Sequence, residues 1–462
     1  MRTYDLLVLG AGSGNMLPAP ELSHLRTAIV ESDRFGGTCL NRGCIPSKMF
    51  VVAADAVISA RHAHRLGVNA SVDRVDWRAI RDRVFARIDP LHESAVGFRR
   101  ANGVDVLLGS ARFVEPKVVE IVDGDDAGQR LTAEKIVVSV GSRPAVPDIP
   151  GLDTVPYLTS DTIMRLDQVP ESLLVLGGGF IAAELGHVFE AFGAKVTIVQ
   201  RGPRLLMSED TEISVRFTEL AQERFTVLTG SEIAAVERTA TGVRALVRTI
   251  DGDARPEAWM DADALLVAAG RVPNTDRLEA ASAGGLDLDE HGHVLVGADL
   301  QTNVPGVWSF GDTANHFQLK HMANAEARVL RHNLLHPSEP HHGPADIAPH
   351  AVFTDPQIAS IGMTEERAIA SGIPHVIGRR AYGDVAYGWA LEDTASFVKV
   401  IADPVTRLLL GAHIIGPQAA LLIQPLLQAM MLGQTVDQIA CQVVYIHPAL
   451  SEVIENALLN LV

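Results

Sequence analysis

Cysteine is nearly absent: the 462 residues hold three, Cys39, Cys44 and Cys441. A small secreted scaffold stapled by disulfides would carry many more, in even number. Two of the three stand five positions apart, and in a Cys-poor chain that spacing suggests redox chemistry or metal binding, with Cys441 left as a buried bystander. Basic residues are also short, 39 Lys and Arg against 56 Asp and Glu, for a net charge of −17. That is the wrong sign for gripping a phosphate backbone, so no nucleic-acid partner is expected. A bilayer demands about 20 consecutive apolar residues. The apolar stretch near the C-terminus, AALLIQPLLQAMML, is shorter, is interrupted by Gln and Pro, and reads as a core helix. The N-terminus, MRTYDLLVLGAG, runs directly into a strand without the charged, apolar and cleavage regions of a leader. A cytoplasmic protein with no membrane partner is expected.

What is present falls into three regions. YDLLVLG at 4–10 is a continuous apolar run ending in glycine, as in a parallel strand buried on both faces, and SLLVLGGG at 172–179 repeats it. Two nucleotide-binding domains in tandem are implied. Beyond about residue 345, SFVKVIAD and LLLGAHIIG alternate like antiparallel strands, and two helical stretches follow. The polar HHGP segment at 341–344 is the expected junction, with His336, His341 and His342 read as a solvated loop.

In the first nucleotide site Gly10, Gly12 and Gly14 follow the strand, so that backbone N–H groups can approach a pyrophosphate at the start of a helix. Glu31 ends the next apolar run, TAIVE, where a carboxylate can hold a ribose hydroxyl. Asn15 replaces the last glycine of the fingerprint, which loosens the expected helix–strand packing. In the second site Gly177, Gly179 and Ala182 match G-x-G-x-x-A. Gln200 then stands where a ribose-binding acid is usual, with Arg201 and Arg204 beyond it, which favours NADPH over NADH. Taken alone, the two arginines also read as solvated loop residues. Gly141-Ser142, Gly270-Arg271 and Gly311-Asp312 end further strands and are expected near the bound dinucleotides.

The chemistry is concentrated in GGTCLNRGCIPSK at 36–48. A disulfide needs Cα atoms within about 7 Å, whereas five residues of helix rise about 7.5 Å. A regular helix therefore cannot join Cys39 to Cys44. Gly43 permits unusual dihedrals and Pro46 removes an N–H, so a distorted helix start is expected. Zinc, the main rival, wants four ligands, and the chain has no second Cys pair. A reversible disulfide is preferred, and no metal site is expected.

This segment resembles the active site of the pyridine nucleotide–disulfide oxidoreductases, the family of glutathione reductase and dihydrolipoamide dehydrogenase, and the likeness extends over essentially the whole chain. It implies an α/β fold of two Rossmann-like domains binding FAD and NAD(P), plus a C-terminal α+β dimerisation domain. The corresponding boundaries are 1–145 with 275–342 for FAD, 146–274 for NAD(P)H and 343–462 for the interface. It implies that Cys39 exchanges with a small-molecule disulfide and that Cys44 is the inner thiol facing the flavin. Gly37, Thr38 and Ala111 join the FAD contacts, and Lys48 lies beside the flavin, paired with Glu184. Without the resemblance, Glu184 reads as an exposed acid in a helix's first turn.

Near the C-terminus, YIHPALSEVIENALL places His447 before a helix, with Pro448 in its first turn and Glu452 just inside. Thiol exchange needs a proton donor poised near neutral pH, and a carboxylate can orient such an imidazole. A lone His-Pro reads as a cap. Here the resemblance implies that both residues reach the opposite subunit's Cys39, which makes a homodimer the active unit.

Within the family, dihydrolipoamide dehydrogenase shares the Cys segment but carries an acid at the ribose position, unlike Gln200. A mercuric reductase, or a thioredoxin reductase with a C-terminal relay, would end in a cysteine pair that NALLNLV lacks. A flavin-bound scaffold without turnover would need none of Cys39, Cys44, His447 and Glu452.

Overall fold

The computed structural model describes residues 1–250, 257–343 and 347–461. Pro344 of the expected junction, with 345–346 and 462 of the expected C-terminal domain, lies outside the described residues. The chain divides into two compact units. The first comprises Met1–Pro46, Arg81–Ala145 and Gly270–Asp346, and the second Ser47–Ile80, Val146–Ala269 and Ile347–Val462.

The first unit is built on a seven-stranded sheet. Its central strand, Arg2–Leu9, pairs in parallel with Thr27–Glu31 and with Arg130–Val138. Asp105–Leu108 and Val307–Ser309 extend the parallel array on either side. Leu7, Leu9 and Ile136 enter one core, while Leu6, Val8 and Phe310 enter the other on the opposite face. Burial on both faces explains why the run is apolar without alternation.

The second unit holds a parallel sheet of Thr226–Leu228, Lys195–Val199, Ser172–Leu176, Ala264–Val267 and Tyr157–Leu158, in that spatial order. It also carries a three-stranded antiparallel sheet over Ser231–Ala262. Its C-terminal part is an antiparallel sheet in which Phe397–Ala402 pairs with Leu409–Ile415, the two segments whose pattern foretold it. Ala419–Met431, Val436–Gln442 and Ser451–Leu459 form three helices where two were expected. The fold is thus two Rossmann-like sheets followed by an α+β portion.

Two readings need correction. Cys441 is exposed, because Val436, Ile439 and Ala440 take the buried side of its short helix. The helical stretch Gly37–Leu66 is long and apolar enough by composition to cross a bilayer, which the sequence reading passed over. It is interrupted at Gly43, and 33% of its most apolar window is packed inside the protein.

Candidate active site

The Cys39–Cys44 geometry is made by a break in the chain. One short helix, Gly37–Arg42, stops at Gly43, and a second, Cys44–His62, starts at once. A β-carbon on Gly43 would lie 3.0 Å from the Thr38 carbonyl oxygen and 3.3 Å from Cys39 Cα. The backbone therefore doubles back onto Cys39 through a gap that leaves little room for a β-carbon. Pro46 falls in the first turn of the second helix, where its missing N–H costs nothing. The expected distortion is real, and Gly43 rather than Pro46 creates it.

Both cysteines stand as thiols, Cys39 half-buried and Cys44 exposed. A hydrogen bond from Cys44 holds the Cys39 thiol below its ordinary pKa, against the opposing effect of burial. The Lys320 ammonium and the backbone N–H groups of Cys44 and Ile45, at the start of the second helix, act in the same direction. Sequence reasoning missed Lys320. Its ammonium donates to Ser13 Oγ at 3.0 Å, and burial depresses its own pKa while the two cysteines oppose that. Nothing in LKHMANAE marks it, since its neighbours come from segments about 300 positions earlier.

The first nucleotide motif departs from expectation. After Gly10 the chain makes two 3-10 turns, Gly14–Met16 and Pro20–Leu22, in place of a long helix. Pro18 and Pro20 lack the N–H groups a helix would use. Asn15 is held instead by Arg99, whose Nε donates to its side-chain oxygen at 2.7 Å. Glu31 is buried at the strand end and accepts from the Ala11 N–H at 2.7 Å and the Asp33 N–H at 3.0 Å; burial raises its pKa against both bonds. Gly37, at φ +64°, packs so closely on Gly12 that a β-carbon would sit 2.8 Å from Gly12 Cα. Thr38 follows, half-buried. A bare backbone floor beside a buried carboxylate fits a dinucleotide.

Three loops of the same unit converge here. The Gly141 N–H donates to Thr313 Oγ1 at 2.9 Å, and Ser142 Oγ donates to Asp312 at 2.6 Å. Arg271 donates to Ser142 Oγ and to its carbonyl at 2.9 and 2.7 Å, and the Gly270 carbonyl accepts from the Ala145 N–H. Ala111 opens the strand Ala111–Glu115 of the same sheet, opposite Ile121.

The second motif keeps its helix. Phe180–Ala191 follows Ser172–Leu176 after Gly177 and Gly178, with Gly179 as N-cap and Ala182 fully buried. Apart from its own chain neighbours, no heavy atom of the described residues lies within 4 Å of where a Gly179 β-carbon would be, so this helix start is open. Arg201 extends into solvent, 3.8 Å from Glu232. Arg204 instead folds back, donating to Ser214 and Thr211 at 3.2 and 3.3 Å.

Lys48 lies one turn past Cys44 in its helix, with its ammonium over the Phe353 ring. Glu184 sits in the second turn of Phe180–Ala191 and accepts from the Phe353 N–H at 2.9 Å. Burial pushes its carboxyl up to about 7, resisted by that hydrogen bond and by the Lys48 charge. His447 Nδ1 and Glu452 Oε1 are 2.8 Å apart. Pro448 lies in the turn preceding Ser451–Leu459, not in the helix's first turn as expected, and its peptide bond is cis. Val443, Val444 and Ile446, just before His447, are exposed.

Residues 4–327 match the pyridine nucleotide-disulphide oxidoreductase family and residues 348–458 its dimerisation domain. The chain belongs to this family. It is a flavin-dependent disulfide reductase that uses FAD and NAD(P)H and forms a homodimer through the C-terminal domain. Among curated relatives, mycothione reductase of Mycobacterium tuberculosis is 45% identical over the full length of both chains. The dihydrolipoyl dehydrogenase of Haloferax volcanii is 33% identical over 99% of this chain and 96% of its own. Among solved structures, the Cu(II) complex of the HOCl-induced flavoprotein disulfide reductase RclA from Escherichia coli superposes with a TM-score of 0.85 at 25% identity. That match covers 99% of each chain.

Proposed function

We propose that the chain reduces mycothiol disulfide, the symmetrical disulfide of a cysteinyl sugar thiol, in the cytoplasm, with NADPH as donor. The observation that carries the substrate is the 45% identity, end to end, to mycothione reductase. The segments GSGN at 12–15, KMF at 48–50, RIDP at 87–90, YGDVAYGWALEDT at 382–394 and YIHPALSEVIENALL at 445–459 resemble that enzyme in particular. Exposed Arg201, with no carboxylate at Gln200, supports NADPH.

In this reading 1–145 with 275–342 hold FAD, 146–274 hold the nicotinamide nucleotide and 343–462 form the interface. Gly10, Gly12, Gly14, Glu31, Gly37 and Asp312 would cradle the flavin dinucleotide. Bound FAD supplies a two-electron relay between nicotinamide and disulfide. The remaining chemistry belongs to the chain. In the reduced dithiol, the Cys39 thiolate attacks one substrate sulfur and forms a mixed disulfide. His447 of the partner subunit, oriented by its own Glu452, protonates the departing thiolate. Cys44 then attacks Cys39, which releases the second thiol and restores the Cys39–Cys44 disulfide. Lys48 would hold positive charge beside the flavin, with Glu184 positioned against it.

The test is a steady-state comparison of mycothiol disulfide, glutathione disulfide and lipoamide, each with NADPH and NADH. Mycothiol disulfide with NADPH is expected to give the highest kcat/KM. Preference for lipoamide with the NAD couple would overturn the assignment in favour of a dihydrolipoyl dehydrogenase.

A further inference from the structure

A second cluster of chemically capable side chains lies in the first unit, apart from the cysteines and from the groups assigned to either nucleotide. It is carried by the tight turn Asp289-Glu290-His291-Gly292-His293, closed by the Asp289 N–H on the His293 carbonyl at 2.9 Å. One oxygen of Asp289 accepts the backbone N–H groups of His291 and His293, both at 2.8 Å. That pair of bonds locks the carboxylate and turns its second oxygen toward two imidazoles. Oδ2 lies 3.3 Å from His293 Nδ1 and 3.1 Å from His316 Nε2.

His293 gives the cluster its meaning. It is only 5% exposed, and among the described residues neither ring nitrogen makes a well-formed hydrogen bond, Nδ1 meeting only Asp289 Oδ2 at 3.3 Å. A buried imidazole without partners is costly unless something satisfies it. The His293 and His316 ring centres are 4.2 Å apart, and the ligand atoms of Asp289, His293 and His316 all lie within 4.8 Å of one another. An ion bound tetrahedrally at about 2.0–2.1 Å places its ligand atoms about 3.3 Å apart. The two separations from Oδ2, 3.3 and 3.1 Å, lie close to that edge.

We propose that Asp289, His293 and His316 bind a divalent transition-metal ion of the zinc class. Two imidazoles and a carboxylate suit such an ion, whereas magnesium and calcium prefer all-oxygen sets. A bound ion would tie the 289–293 turn to the segment following Asp312, already joined by the Val294 N–H on the Thr313 carbonyl at 2.9 Å.

The test is calorimetric titration of EDTA-treated, oxidised holoenzyme with Zn(II), beside His316→Ala and His341→Ala. His316 is exposed, so its loss leaves folding intact, and His341 belongs to a separate histidine stack. The expected result is one site in the wild type and in His341→Ala, weakened at least about tenfold in His316→Ala. At one Zn(II) concentration the rise in Tm should be smaller in His316→Ala than in the wild type and in His341→Ala. Equal affinity in wild type and His316→Ala, loss in His341→Ala, no binding at all, or equal binding of Mg(II) would each overturn the proposal. Asp289→Asn, which keeps the backbone acceptor, should behave as His316→Ala does, and full retention of binding there would count equally against it.

Discussion

Glu452 holds His447 with one carboxylate oxygen, 2.8 Å from Nδ1, and takes the Ala449 N–H with the other at 3.3 Å. The carboxylate is thus anchored at both ends of the turn that carries the imidazole, leaving Nε2 for the proposed proton transfer. Replacing His447 with Gln should lower disulfide turnover by about 10²–10⁴-fold, the usual worth of a positioned proton donor. Reduction of the flavin by NADPH should be unchanged, as stopped-flow absorbance would record. Equal slowing of both half-reactions would remove the acid–base assignment. Glu452→Gln should cost less, since the imidazole remains. The hydrogen bond with His447 holds Glu452 below its ordinary pKa, so the wild-type pair weakens as pH falls through that depressed value.

Lys320 acts on the cysteines through charge. With Lys320→Met, Cys39 loses one of the groups that hold its pKa down, so a higher pH is needed to form the attacking thiolate. The pH at which NADPH-reduced enzyme alkylates half-maximally at Cys39, followed by mass spectrometry, should move upward. An unmoved profile would mean that the ammonium does not reach the thiol.

Lys399 is fully buried and bonded to Asp210, Glu212 and Glu365 at 2.9, 3.0 and 2.6 Å. Those bonds raise its pKa against burial. Lys399→Met leaves the completely buried Asp210 carboxylate without its cation. Removing one partner of such a group costs about 3–5 kcal/mol, which denaturant unfolding would measure. A loss below about 1 kcal/mol, the level of surface pairs, would show that the network is dispensable.

Lys399 also marks where the sequence stops being legible. SFVKVIAD reads as a strand with one wet face, yet all of Phe397–Ala402 is buried, because the acids that neutralise Lys399 come from residues 34 to 189 positions away. The strands Arg2–Leu9 and Ser172–Leu176 could be read because burial on both faces leaves a local mark, an unbroken apolar run. The need for a break between Cys39 and Cys44 was readable from helix geometry, and Gly43 was one of its two named causes. The missing helix after Gly14 was written in Pro18 and Pro20 but masked by the glycine fingerprint. Lys320 and the Asp289–His293–His316 cluster depend on tertiary proximity and left no periodic signal.

Glu184 offers a pH test with a defined sign. Its folded pKa of about 7 lies above the ordinary 4.5, so between those values the folded protein keeps a proton that the unfolded chain has released. The stability this contributes is whole below 4.5 and is lost as pH rises through about 7. Glu184→Gln cannot ionise and lacks this dependence. The Tm difference between wild-type and variant holoenzyme, followed by calorimetry, should therefore fall steadily from pH 4.5 to about 7 and level off above it. A difference constant across that window would mean that Glu184 is ionised throughout, with the Lys48 charge and the Phe353 N–H outweighing its burial.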